Sequence, residues 1–254
     1  MWYQIFAYFK FFFKSSNQHG IHSPFVYNLI TQCFYDKSSK EIYKTLQQYR
    51  DDLLKDDTII EVKDFGAGSR VFSSNKRKVS AIAKNAGITQ KRAQLLARLI
   101  SYLEIKKCLE LGTSLGIGTI AMNAATDVYT IEGCPETAKI AEKQLRTFDM
   151  NNVSISMAPF EKIIPELMDE IFDLIYFDGN HQKEATLQYF ETLLKTAHND
   201  SVFIFDDIHW SKNMTEAWEI IKNHPKVTVT IDTFFWGFVF FRKEQVKEHF
   251  VVRI

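Results

Sequence analysis

Cys108-Leu-Glu110-Leu-Gly112-Thr113-Ser114-Leu-Gly116-Ile-Gly118 is the stretch on which the reading of this chain turns. Residues 107–111 form an apolar run of strand length. Three glycines follow within seven residues, and a helix is expected from Gly118. Glycines at such a turn let the backbone approach a ligand without a Cβ clash, and the helix N-terminus favours negative charge. Glu132 ends the next apolar run, twenty residues after Gly112. An acid so placed can accept hydrogen bonds from two ribose hydroxyls.

Outward from this loop the texture is regular. Strands are expected at 107–111, 128–131, 153–157, 172–177 and 202–205. Helices are expected from 118, and over 135–148, 161–168, 183–197 and 213–223. Five consecutive strand–helix units argue an α/β fold with a parallel sheet covered by helices on both faces. The end differs. Runs 227–233 and 236–242 are separated by almost nothing, so they must form an antiparallel hairpin rather than another crossover. The expected architecture is a Rossmann-like, mostly parallel seven-stranded sheet with a terminal antiparallel hairpin, over 101–254.

Residues 1–100 read as a helical N-terminal cap. Ser23 caps a helix with Pro24 in its first turn, a second helix covers 40–54, and two more flank Gly87 with Thr89 as a cap. The first segment, Trp2-Tyr-Gln-Ile-Phe-Ala-Tyr-Phe-Lys-Phe-Phe-Phe13, is too short for a membrane span. It is expected to pack its aromatic face on the domain or over a pocket. An interfacial anchor and a homodimer surface are the alternatives.

Lys+Arg and Asp+Glu both number 31, so no net field steers polyanions or membranes. Three cysteines, Cys33, Cys108 and Cys134, have no paired spacing, which argues against a disulfide framework or zinc cluster and suits a reducing cytoplasm. Locally, residues 65–103 carry eight cations (Arg70, Lys76, Arg77, Lys78, Lys84, Lys91, Arg92, Arg98) and no acid. A solvated face is the default reading, and an anion site for a phosphorylated substrate or RNA is the sharper one.

With Glu110 before Gly112, Gly116 and Gly118, and with the closing hairpin, the chain resembles the class I S-adenosylmethionine-dependent methyltransferases. By that resemblance Glu110 lies near the methionine end of the cofactor, residues Gly112, Thr113, Ser114, Gly116 and Gly118 line it, and Glu132 holds the ribose. Phe160, after the third strand, lies by the adenine or is a core contact. The competing reading is a nicotinamide site, since Gly116-Ile-Gly118-Thr-Ile-Ala121 also fits G-x-G-x-x-A. An NAD-dependent oxidoreductase or a non-catalytic cofactor-sensing protein would follow from other outcomes at that loop.

Two more strand ends carry polar groups: Asp178-Gly-Asn-His181 and Asp206-Asp207-Ile-His209. In a parallel sheet such ends face the ligand crevice, and carboxylates there are costly to bury unpaired. The pair resembles the metal-dependent catechol- and caffeoyl-CoA-type O-methyltransferases, with Asp207 replacing their Asn. That resemblance implies a small hydroxylated acceptor, Asp178, Asp206 and Asp207 as ligands of Mg²⁺ or Ca²⁺, and Asp178 beside the cofactor. His181 stands where those enzymes carry a lysine, and an imidazole suits proton removal near neutrality. His181 and Asp178 are therefore the expected catalytic pair. Asp173, at the opposite end of its strand, is expected to be structural.

The segment Asn17-Gln-His19-Gly-Ile-His22-Ser-Pro-Phe25 resembles the N-terminus of uncharacterised methyltransferases of Bacteroidetes-type bacteria. Its histidines belong to a structural loop or reach the substrate. Asp64-Phe-Gly66-Ala-Gly68 is read as a lid or connecting turn.

Overall fold

The computed structural model describes residues 2–66, 68 and 72–254. In chain order its first elements are α1 (Trp2–Lys14), α2 (Pro24–Leu29), α3 (Ile42–Lys55), β1 (Ile59–Glu61), β2 (Lys76–Lys78), α4 (Val79–Asn85) and α5 (Gln90–Tyr102). Then come β3 (Lys107–Leu111), α6 (Ile117–Ala121), β4 (Asp127–Glu132), α7 (Pro135–Thr147), β5 (Val153–Met157) and α8 (Phe160–Ile163). The rest are β6 (Phe172–Phe177), α9 (Lys183–Leu193), β7 (Ala197–Asp206), α10 (Lys212–Asn223), β8 (Val229–Asp232), β9 (Trp236–Phe240) and β10 (Glu248–Val251). By packing, the chain divides into two compact units: Lys37–Ile163, and Met1–Asp36 with Ile164–Ile254.

In the unit Lys37–Ile163, strands β3, β4 and β5 are parallel, with Lys107 opposite Asp127 and Val128 opposite Val153. Strand β3 is buried from Cys108 to Leu111, taking the Glu110 carboxyl inside with it, whereas β5 is half-buried with Ser154 and Met157 exposed. Helix α3 buries Leu46, Tyr49 and Leu53, spaced to lie on one face, and α5 buries Leu95, Leu96, Leu99 and Ile100. Thr89 caps α5 through Arg92 N at 3.3 Å, as expected. Strands β1 and β2 form a short antiparallel ribbon that the expected all-helical cap does not contain.

The other unit holds five strands in the order β10-β8-β9-β7-β6. Strand β7 runs parallel to β6 and antiparallel to β9, and β9 is antiparallel to β8. The terminal hairpin is therefore present. Strand β10 adds an eighth strand where seven are expected, pairing parallel with β8 from Glu248 opposite Val229 to Val251 opposite Asp232. Phe172, Phe190, Phe203, Phe205, Trp218, Trp236, Phe238 and Phe240 are fully buried and fill this core. Gly237 lets β9 lie under Trp218: a Cβ there would sit 2.7 Å from the indole ring. Gly237→Ala is expected to cost about 2 kcal/mol by overpacking, read as a lower melting temperature.

Helix α1 departs from expectation. It buries only Ala7 and Phe11, which pack with Phe234 and Val251, and it turns most of its aromatic side chains outward. The segment after it is structural. Asn17 Oδ1 accepts from His19 N at 3.1 Å, Ser16 bridges to Val252, and Ser23 caps α2 through Val26 N. No helix among the described residues is long and apolar enough to cross a membrane.

Candidate functional site

Glu110 is the penultimate residue of β3 and only 1% exposed. Its Oε2 accepts from Thr119 Oγ1 at 2.5 Å and from Thr130 Oγ1 at 2.7 Å. Because the Thr130 hydroxyl gives its proton to Glu110, the 2.6 Å contact with Thr113 Oγ1 has Thr113 as donor. The other carboxyl oxygen, Oε1, is buried with no hydrogen-bond partner among the described residues. Burial raises the Glu110 pKa from 4.5 to about 7 against the lowering effect of the two threonines, and the nearby Glu132 charge adds to the rise.

Glu132 closes β4 and is already engaged from both sides. Oε2 accepts from Ser114 N and Oε1 from Cys134 N, each at 2.8 Å. Burial raises its pKa, these backbone donors oppose the rise, and the Asp64 charge adds to it. The carboxylate therefore ties the glycine loop to the end of β4. Gly112 has φ 107° and donates its N–H to Ile131 O at 2.9 Å, so the loop turns directly over the neighbouring strand. Ser114 is left-handed at φ 48°.

Gly116 has a close neighbour on α3. It caps α6 at φ 78°, and a Cβ there would clash with the Tyr49 hydroxyl, which donates to Leu115 O at 2.8 Å. The glycine makes room for Tyr49 of α3, whose own pKa burial pushes well above 10. Gly118 is buried inside α6. Phe160 is half-buried at the start of α8, which packs against β4.

Residues 63 and 65, which follow β1, lie at the end of β4. A Cβ on Gly133 would meet Phe65 at 2.8 Å, Lys63 Nζ lies 5.0 Å from the Phe65 ring centroid, and Lys63 N donates to Cys134 Sγ at 3.3 Å. Ala67, Ser69, Arg70 and Val71 lie outside the described residues, and with them part of the expected lid and one cation of the basic stretch. Several other cations of that stretch have partners: Arg77 with Asp64 and the Phe72 ring, Lys78 with Asp57, and Arg98 with the Tyr43 hydroxyl.

The remaining expected residues belong to the other unit. Asp178 follows β6, and the register Phe177 opposite Phe205 sets it beside Asp206 at the end of β7. Asn180, His181 and Asp207 are all left-handed, at φ 70°, 51° and 54°. Non-glycine residues held this way are sparse and gather where a chain has functional turns. The His181 ring makes no hydrogen bond among the described residues, whereas Asn180 Nδ2 donates to the Tyr189 hydroxyl at 3.1 Å.

His209 is fully engaged. Its Nε2 lies 2.8 Å from Asp232 Oδ2, and its Nδ1 lies 3.1 Å from Thr215 Oγ1. The Thr215 hydroxyl also donates to Ile208 O at 3.1 Å. Asp232 Oδ1 also accepts from Phe234 N at 2.8 Å, and the His209 ring stacks on Phe234. This network holds the turn between β8 and β9. At the opposite end, Asp173 bonds His198 Nε2 at 2.9 Å, the structural role expected of it.

Among the described residues, no three or more His, Cys, Asp or Glu side chains form a group able to hold a metal ion. No step below passes through a metal ion.

Sequence reasoning passed over Thr119 and Thr130, which hold Glu110, and Tyr49 and Phe65, which lie on Gly116 and Gly133. Thr119 directly follows Gly118, which is the one signal that was legible. Tyr49 and Phe65 sit far from the loop in sequence and leave none.

The family described as a methyltransferase domain matches residues 109–208. No curated protein matches the chain in sequence. Among solved structures, the S-adenosylhomocysteine-bound methyltransferase of Podospora anserina superposes with TM-score 0.61 at 12% identity, covering 88% of this chain and 97% of that one. The Bacillus cereus O-methyltransferase with S-adenosylhomocysteine gives TM-score 0.55 at 17% identity, over 84% of this chain and 96% of that one. The Streptomyces achromogenes O-methyltransferase TomG, from tomaymycin synthesis and bound to S-adenosylmethionine, gives 0.57 at 17% identity, over 89% and 99%. Residues 109–208 thus match a methyltransferase domain, and the chain has a Rossmann-like fold similar to that of these solved methyltransferases.

Proposed function

We propose that the chain uses S-adenosylmethionine to methylate a hydroxyl oxygen of a small molecule. The observation that carries this reading is the pair of carboxylates at the ends of adjacent strands, buried Glu110 with an unpartnered Oε1 and half-buried Glu132 locked between Ser114 N and Cys134 N. A buried acid with an open acceptor calls for a cationic or hydrogen-bond-donating ligand group, since leaving it unpaired costs about 1–3 kcal/mol. Glu110 would receive the amino-acid ammonium of the cofactor, and Glu132, whose oxygens each keep a lone pair, would accept the two ribose hydroxyls. Gly112, Thr113, Ser114 and Gly118 would form the loop wall, with Gly116 setting its path through Tyr49. Phe160 would supply an apolar face for the adenine.

S-adenosylmethionine supplies, when bound, a sulfonium methyl that an acceptor oxygen can displace in line. The chain's contribution would be alignment and removal of the acceptor proton. His181 is the residue proposed for that proton, because its ring is uncommitted and its backbone is held at an unusual angle. Asp178 and Asp206 would orient the acceptor hydroxyl. His209 is not a base in this scheme, since both its nitrogens are already hydrogen-bonded, to Asp232 and Thr215. The solved O-methyltransferases of the same fold support an oxygen acceptor.

The test is calorimetric titration of the protein with S-adenosylhomocysteine and, separately, with NAD. Micromolar binding of the first and none of the second is expected. Binding of NAD alone would replace this reading with the dinucleotide one that Gly116–Ala121 also fits.

A further inference from the structure

Helix α1 presents an apolar face outward. At 100° per residue, Phe12, Ile5, Phe9, Trp2, Phe13 and Phe6 fall within an arc of about 120°, opposite the packed residues Ala7 and Phe11. All six are exposed: Trp2 at 83%, Phe13 at 82%, Phe6 at 72%, Phe9 at 57%, and Ile5 and Phe12 at 44%. A contiguous exposed patch of this kind marks a surface that meets something other than water.

Charge identifies the occupant. The helix carries Lys10 and Lys14 and no acid. Lys10 borders the apolar arc on one side, and the Arg253 guanidinium lies over the Phe12 ring on the other, 5.1 Å from its centroid. A second copy of the chain packing face to face by a twofold axis would bring these cations together with no helix acid to meet them. A bilayer with anionic headgroups complements both features: aromatic rings enter the headgroup–acyl boundary, and flanking cations meet the phosphates.

We infer that α1 docks the protein on an anionic membrane surface, lying in its plane and not crossing it. Docking leaves Ala7, Phe11 and Tyr3 in place against Phe234 and Val251, so the helix needs no rearrangement to bind. The inference does not depend on the cofactor assignment, because none of its residues belongs to that site.

The experiment is co-sedimentation of the full chain with vesicles of phosphatidylcholine alone and of phosphatidylcholine mixed with phosphatidylglycerol. The expected result is retention on the mixed vesicles and none on the neutral ones, weakening as salt is raised. Lys10→Glu with Lys14→Glu should lower retention at least about tenfold, each lost cation being worth about fivefold. Phe6→Ser, Phe9→Ser and Phe13→Ser together should abolish it while leaving melting temperature and S-adenosylhomocysteine binding unchanged, because these side chains lie outside the core. Absence of retention on anionic vesicles, or retention unaffected by both variants, overturns the inference. So does light scattering that finds a dimer in wild type and a monomer in the serine variant, which would assign the face to a second copy.

Discussion

Glu132→Ala is expected to lower the affinity for S-adenosylhomocysteine by at least about a hundredfold, which is about 2.7 kcal/mol. Hydrogen bonds to a charged group contribute about 1.5–3 kcal/mol each, and the proposal gives this carboxylate two ribose hydroxyls. The same substitution strips the partners from Ser114 N and Cys134 N, each now bonded at 2.8 Å. The glycine loop loses its tie to β4, and the unliganded protein should lose about 2–3 kcal/mol of stability as well. Glu132→Gln separates the two effects. Its amide oxygen still accepts one backbone bond, so much of the stability returns while one of two ribose acceptors becomes a donor. Calorimetry and thermal melting on both variants check this. Undiminished affinity in the alanine variant would remove Glu132 from the cofactor site.

Glu110→Gln should stabilise the unliganded protein above neutral pH and weaken its hold on the cofactor. Burial raises the Glu110 pKa from 4.5 to about 7, so the folded state binds its proton more tightly than the unfolded chain does. The stability this contributes is fully present below about 4.5 and is lost as pH rises through about 7. The loss amounts to about 3 kcal/mol at 1.36 kcal/mol per pKa unit. Glutamine does not ionise, and its oxygen can still accept from Thr119 and Thr130, so the slope shrinks in the variant. Glu132, raised in the same direction, keeps part of it.

Ligand binding should show the opposite trend. An ammonium beside Oε1 favours the carboxylate, so wild-type affinity for S-adenosylhomocysteine rises with pH through about 7, and the variant's affinity is lower and flatter. Melting curves and titrations below and above neutrality read both. A wild type whose stability does not fall with rising pH would show that Glu110 is not held neutral.

The strands were legible where burial on both faces forces an unbroken apolar run and where a glycine or acid ends it. Strands β3, β5 and β6 coincide with their expected limits, and Glu110, Gly112 and Glu132 stand at strand ends as the spacing implies. Elements without that signature were missed. Strand β2 is Lys-Arg-Lys and β10 is Glu-His-Phe-Val, too short and polar for any period to show, and both form only because a partner strand is already in place. The limits of α9 and β7 shifted for a related reason, since residues 194–201 carry no strong propensity and pairing with β6 decides where β7 begins.

By itself, then, the sequence determined the α/β class, the terminal hairpin and the placing of Glu110 and Glu132 at strand ends, because these follow from local periodicity and from glycines at strand ends. Only the tertiary structure decided what surrounds them. Thr119 and Thr130 leave one Glu110 oxygen open, Tyr49 occupies the space above Gly116, His209 is spent on Asp232, and the aromatic face of α1 turns outward. Each of these is a contact between residues distant in the chain, or the lack of one, and no local pattern encodes which distant side chain fills a given space.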